Sequence, residues 1–168
     1  EALKMVFINR KDKNKRFFKL RQHFLTKIAS IFKMGNYADY LDDSKEDKEI
    51  LELISLGPPT DDENLLGNTI LLAIAKNKGK PFCNIELKKF LDSKNFIVSI
   101  GSACLTKSPT ASHVLTAIGA PAVIKRGVIR ISFNDTNTIN EVNEFVKILA
   151  LGIDKQCIDI KKNKLINE

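Results

Sequence analysis

Between Gly67 and Lys76 the chain reads Asn-Thr-Ile-Leu-Leu-Ala-Ile-Ala, an apolar run of strand length with no charge in it. A run of this kind has no polar face to offer water, so it reads as a buried strand that the rest of the fold must cover. Periodicity alone does not separate it from a buried helical segment. Gly67 before it and the polar Lys76 to Lys80 connection after it are the punctuation of a strand.

The neighbouring patterns supply the cover. From Leu3 to about Met34, apolar residues such as Phe17, Leu20, Phe24, Ile28 and Ile31 recur at helical spacing among Lys and Arg. They predict one long helix, or two with a break near Lys11 to Asn14, ended by Gly35-Asn36 through their tolerance of positive φ. Phe17, Phe18 and Phe24 read as core, and His23 as an exposed or partly packed structural residue. Ile50 to Leu56 is a short strand or a helical turn, between a charged stretch from Leu41 and the turn Gly57-Pro58-Pro59. Asn84 reads as the N-cap of a short helix carrying Ile85, Leu87, Phe90 and Leu91 to about Ser93, and Phe96 to Ile100 as the next strand.

Beyond residue 100, Ser108-Pro109 is an N-cap with proline at the first helical position. The helix it predicts has Val114, Leu115 and Ile118 as its apolar face and ends at Gly119. Gly127 to Phe133 predicts a strand with Val128 and Arg130 on one face and Ile129 and Ile131 on the other. Thr138 with Glu141 forms a capping box, opening a helix with Ile139, Val142, Phe145, Val146 and Leu149 inward. The fold class is therefore α/β: a few-stranded sheet covered mainly on one face by helices.

At 168 residues, with 43% hydrophobic and 28% charged residues, the chain suits one compact domain. No run approaches the roughly 20 apolar residues of a membrane span, and no signal-peptide pattern opens it, so it reads as intracellular and cytoplasmic. Three widely spaced cysteines, Cys83, Cys104 and Cys157, and two histidines, His23 and His113, make neither a disulfide framework nor a zinc pattern. Metal binding is not expected. The net charge of +7 is concentrated from Arg10 to Arg21, which leaves a basic nucleic-acid-binding module as a reading, but Lys and Asn are abundant throughout and a solvated face explains the cluster better. Glu1 follows no cap, and the amphipathic pattern is already running at Leu3, which predicts a C-terminal piece of a longer protein.

One stretch carries chemistry. Gly101-Ser102-Ala103-Cys104 sets a thiol among small residues shortly before a well-signalled helix, where a mobile, solvent-open cysteine near backbone N–H groups favours the nucleophilic thiolate. Lys107 adds a positive charge nearby that is able to favour it further.

Gly101-Ser102-Ala103-Cys104, then Pro109 and Ser112-His113-Val114-Leu115, an Ala-Ile-Gly helix end, and Ile129-Arg130-Ile131-Ser132 resemble the C-terminal part of NifS-like cysteine desulfurases, which are pyridoxal-phosphate enzymes of aminotransferase class V. The resemblance spans about residues 1 to 150 and is specific over 97 to 133. It implies the small C-terminal domain of a fold-type-I enzyme. Residues 1–34 would be the long linking helix and 35–168 the small domain, with a polar insertion at about 41–62. By the same resemblance Cys104 is the nucleophile that takes sulfur from L-cysteine as a persulfide, releasing alanine. Arg130 grips the substrate carboxylate. The family also implies a homodimer and a sulfur acceptor protein.

Several residues depart from the family pattern. No Ser-x-His-Lys motif, the family's source of the Schiff-base lysine, occurs in the chain, nor does the Asp that pairs with the pyridine nitrogen. The fragment alone is thus not expected to bind pyridoxal phosphate productively. Ile100, Leu105-Thr106-Lys107 and Phe133-Asn134-Asp135 replace the family's usual residues around the loop and the arginine strand. They point to a divergent homologue, of viral or parasite type, and leave open a class V aminotransferase-like lyase or a non-catalytic homologue.

Overall fold

In the computed structural model, residues 2–41, 51–57, 66–76, 82–100 and 112–166 are described, with side chains described from 10 to 157 within those spans. The apolar run after Gly67 is strand β2, Thr69–Lys76, and it is the middle strand of the sheet. Strand β1, Leu51–Leu56, pairs antiparallel along one side, with Leu53 opposite Ile74. Strand β3, Val128–Ser132, pairs antiparallel along the other, with Ile129 opposite Leu72. The uncertain segment from Ile50 is thus a strand.

Alternation along β2 sends Ile70, Leu72 and Ile74 to one face and Ala73 and Ala75 to the other, and each face meets its own core. Against the first lie α1 (Ala2–Ala29), α2 (Asn84–Asp92) and α5 (Ile139–Ile166). Phe24 of α1 and Phe145 of α5 are stacked there with ring centroids 5.8 Å apart. Against the second lie a 3-10 turn (Tyr37–Tyr40), α3 (His113–Ala117) and α4 (Ala122–Gly127), contributing Tyr40, Leu115 and Ile124. The three longer helices thus lie on one face, as expected, and a smaller set of short elements covers the other. The reason is that β2 is apolar on both sides.

Helix α1 runs without a break through Lys11 to Asn14 but ends at Ala29, short of Met34. Its last turn is closed by Ser30, whose Oγ donates to the Lys27 carbonyl. The chain then turns extended beside β1: Leu53 N–H donates to the Lys33 carbonyl (2.9 Å) and Gly35 N–H to the Leu53 carbonyl (2.9 Å). Lys33 to Gly35 therefore makes an extra sheet contact centred on Met34, and Gly35-Asn36 is not a left-handed helix stop, with Asn36 at φ −101° capping the 3-10 turn. Three charges of the basic cluster serve the fold. Lys13 pairs with Asp135, and Arg16 donates to the Asn137 carbonyl. Arg21 is buried, its Nη1 donating to the Thr69 carbonyl. His23 is part-buried and hydrogen-bonded to Asn143 at 2.7 Å.

Glu52 is the one acidic side chain among the buried residues described, 1% exposed on β1. The Tyr40 hydroxyl donates to its Oε2 (2.8 Å), and Lys33 pairs with its Oε1. Burial first, then the Glu52 carboxylate, raises the Tyr40 phenol well above its ordinary value. A folded-state value above the unfolded one means the neutral phenol's stabilisation is full below about pH 10 and lost as pH rises through the folded value. Denaturant midpoints should therefore fall above about pH 10 in the native chain, and fall less steeply in Tyr40→Phe. Equal slopes would show that Tyr40 is not the group responsible.

The capping box forms as read. Thr138 N–H donates to Glu141 Oε2 (2.7 Å), and Glu141 N–H donates to Thr138 Oγ1 (3.2 Å). Ile139, however, is exposed, while Val142, Phe145, Val146 and Leu149 are inward. Helix α2 begins at Asn84, with Cys83 at its cap position. Asn84 Nδ2 instead donates across to the Val128 carbonyl (2.8 Å), tying α2 to the start of β3.

Candidate functional site

The site is built outward from β3. Val128, Ile129 and Ile131 are buried on their alternate faces, which fixes the strand's rotation and leaves Arg130, between them, exposed on the same side as Val128. That is the side covered by α3 and α4. Arg130 is thus where the alternation placed it.

On the free edge of β3, the segment read as a strand over Phe96 to Ile100 makes one antiparallel bridge, Ser99 with Arg130. Ser99 N–H donates to the Arg130 carbonyl (3.1 Å), and Arg130 N–H donates to the Ser99 carbonyl (2.7 Å). Val98 is buried beside this pair, but Ile97 is 89% exposed, and the pairing goes no further. Arg130 Nη2 also donates to Ser99 Oγ at 3.4 Å. The chain therefore enters the cysteine motif, two residues beyond Ser99, from a fixed contact with Arg130.

Residues 101–111 lie outside the described residues, so Cys104, Lys107 and the Ser108-Pro109 cap do too. The described chain resumes at Ser112, the cap position of α3. Only Leu115 of the expected apolar face is buried. Val114 and Ile118 are 52% and 50% exposed, because a helix of five residues turns a single position onto the core. His113 is exposed at its first position. Gly119, at φ +68°, closes the helix as expected, and Tyr37 donates its hydroxyl to the Ile118 carbonyl (3.1 Å).

Sequence reading overlooked two of these contacts. Ser99, flanked by Val98 and Ile100, looked like a polar position on a strand, and nothing in one chain pairs it with Arg130. Tyr37 sits in a short turn with no periodic signal. A cleft of about 340 Å³ lies among Tyr37, Ser55, Gly57 and Ile118, but neither Arg130 nor Ser99 lines it. Cys83 and Cys157 are half-buried, and Cys157 packs against the first core. Among the described residues no group of three or more His, Cys, Asp or Glu is placed to hold a metal ion, and no helix is long and apolar enough to cross a membrane.

No family model matches the chain. It is 37% identical over 85 residues to the cysteine desulfurase IscS of Methanosarcina thermophila, a match covering 49% of this chain and 21% of that protein. It is 25% identical over 155 residues to the cysteine desulfurase IscS of Dictyoglomus turgidum, covering 92% of this chain and 33% of that one. Among solved structures, a NifS-like protein superposes on 91% of this chain and 31% of its own, with a TM-score of 0.61 at 21% identity. The chain is thus similar to cysteine desulfurases over part of their length. The structural neighbour supports the fold, a three-stranded antiparallel sheet with helices on it, and the curated relatives support a cysteine desulfurase-like family. The chain spans a third or less of the length of those two relatives.

Proposed function

We propose that this chain supplies the sulfur-accepting thiol and the carboxylate-binding arginine of a pyridoxal-phosphate-dependent cysteine desulfurase. The observation that carries the reading is the Ser99 and Arg130 pair, which sets an exposed guanidinium beside the entrance to the Gly101 to Cys104 motif. Guanidinium is suited to the substrate's carboxylate because it gives a bidentate, charge-assisted contact. The thiolate of Cys104 is suited to its sulfur.

The net step needs no oxidant or reductant. An S–S bond forms between Cys104 Sγ and the substrate sulfur, the substrate's Cβ–S bond breaks with its electron pair left on carbon, and protonation there gives alanine. Cys104 retains the sulfur as a persulfide, ready for transfer to an acceptor thiol. The chain's own residues do not fit the cofactor: Ser-x-His-Lys, the family's source of the Schiff-base lysine, is absent from the sequence. The tether and the electron-sink partner have to come from residues outside these 168, in the same polypeptide or a partner copy.

The test is the full-length polypeptide carrying this chain, given L-cysteine and pyridoxal phosphate. Alanine should accumulate, and peptide mass analysis should find one added sulfur on Cys104. Arg130→Ala should raise KM for L-cysteine about tenfold or more, the loss of a charge-assisted contact. Absence of alanine, or alanine formed with KM unchanged in Arg130→Ala, would overturn the reading.

A further inference from the structure

We infer that Ser99 is a positioning residue for Arg130, holding the guanidinium in the orientation that receives the substrate carboxylate; this rests on the reading of Arg130 just proposed. Three hydrogen bonds join the two residues, a reciprocal backbone pair at 2.7 and 3.1 Å and the side-chain contact at 3.4 Å. Residues that exchange both backbone bonds across antiparallel strands project their side chains to the same face. The contact between Nη2 and Oγ is thus built into the backbone pairing and is not a chance meeting of surface groups.

The chemistry of the pair fits this role. An exposed arginine has many rotamers, and ordering it on binding weakens affinity unless the ordering has already been done. Ser99 is half-buried beside buried Val98 and its backbone is held by the reciprocal pair, so its hydroxyl is kept within reach of the guanidinium, while Arg130 is otherwise exposed. A hydroxyl occupies one of the five guanidinium donors and leaves a fork for the incoming carboxylate. Being neutral, it orients the arginine without cancelling the charge that the substrate needs. A carboxylate at the same position would compete with substrate.

Four variants of the full-length protein test this with steady-state kinetics on L-cysteine. Ser99→Ala should raise KM about threefold to tenfold with kcat little changed, and Ser99→Thr, which keeps the hydroxyl, should restore it. Ser99→Asp should raise KM further than Ser99→Ala by pairing with Arg130. In an Arg130→Ala background, Ser99→Ala should have no added effect. In the full-length protein without substrate, NMR of the Arg130 guanidinium should show side-chain rotation that quickens in Ser99→Ala and slows again in Ser99→Thr.

A merely structural Ser99 would lower thermal stability and kcat together and would leave its effect intact in the Arg130→Ala background; either result overturns the inference. Unchanged KM in Ser99→Ala alongside a raised KM in Arg130→Ala overturns it while sparing the proposed function. Unchanged KM in Arg130→Ala fails the proposed function itself. Unchanged guanidinium rotation in Ser99→Ala overturns the positioning role whatever the activity.

Discussion

Replacing Cys104 with alanine is expected to abolish the protein-bound persulfide and to reduce alanine release from L-cysteine by at least about a hundredfold, because the substrate's sulfur then has no positioned nucleophile. A tethered thiol acts at an effective concentration far above that of any thiol in solution, so added dithiothreitol should rescue alanine release only weakly. Cys83→Ala and Cys157→Ala are the controls. Neither residue belongs to the motif, and Cys157 is engaged with the first core, so both variants should keep the persulfide on Cys104. Alanine release unchanged in Cys104→Ala would remove the thiol from the reaction and leave the class V lyase reading in its place. The measurement is alanine by chromatography, with peptide mass analysis for the added sulfur.

The distinct fates of Arg130 and Ser99 show where sequence reading reached and where it stopped. Arg130 was legible because a strand of five residues with Val128, Ile129 and Ile131 around it has only two faces, and alternation assigns each residue to one of them. Ser99 was not, because its role comes from a bridge to a residue 31 positions away. The same division runs through the fold. β2 and the Thr138 and Glu141 box are local patterns and form as read. β1 stayed ambiguous because Glu52 puts a carboxylate where alternation asks for an apolar side chain. Its burial depends on Lys33 and Tyr40, supplied from outside the strand. Helix α1 ends earlier than its pattern predicts for a related reason: hydrogen bonds to Leu53 draw Lys33 to Gly35 into extended pairing, and tertiary structure overrides the helical spacing of Ile31 and Phe32.

Gly127→Ala is expected to destabilise the fold by about 3 kcal/mol or more, against what helix propensity alone predicts. Gly127 is the last residue of α4, and alanine in a helix is favoured over glycine by about 1 kcal/mol, so propensity points to stabilisation. Packing points the other way. A Cβ at Gly127 would overlap the Ile74 carbonyl oxygen and crowd the Ile74 carbonyl carbon and nitrogen, all of them backbone atoms of the central strand. A flexible side chain is able to swing aside, but Ile74 is held in register with Leu53, so relief means moving α4 off the sheet or disturbing β1 and β2 together. Ala73 and Ala75, small residues on the β2 face that meets α4, belong to the same close approach. The cost of overpacking against backbone exceeds the propensity gain, and the midpoint of thermal unfolding should fall by roughly 10 °C. Gly119→Ala is the contrast. Its Cβ would meet open space, and the only cost is a left-handed φ of +68°, about 1 kcal/mol or somewhat more. A Gly127→Ala protein as stable as the native chain would mean that α4 does not approach the Ile74 backbone so closely.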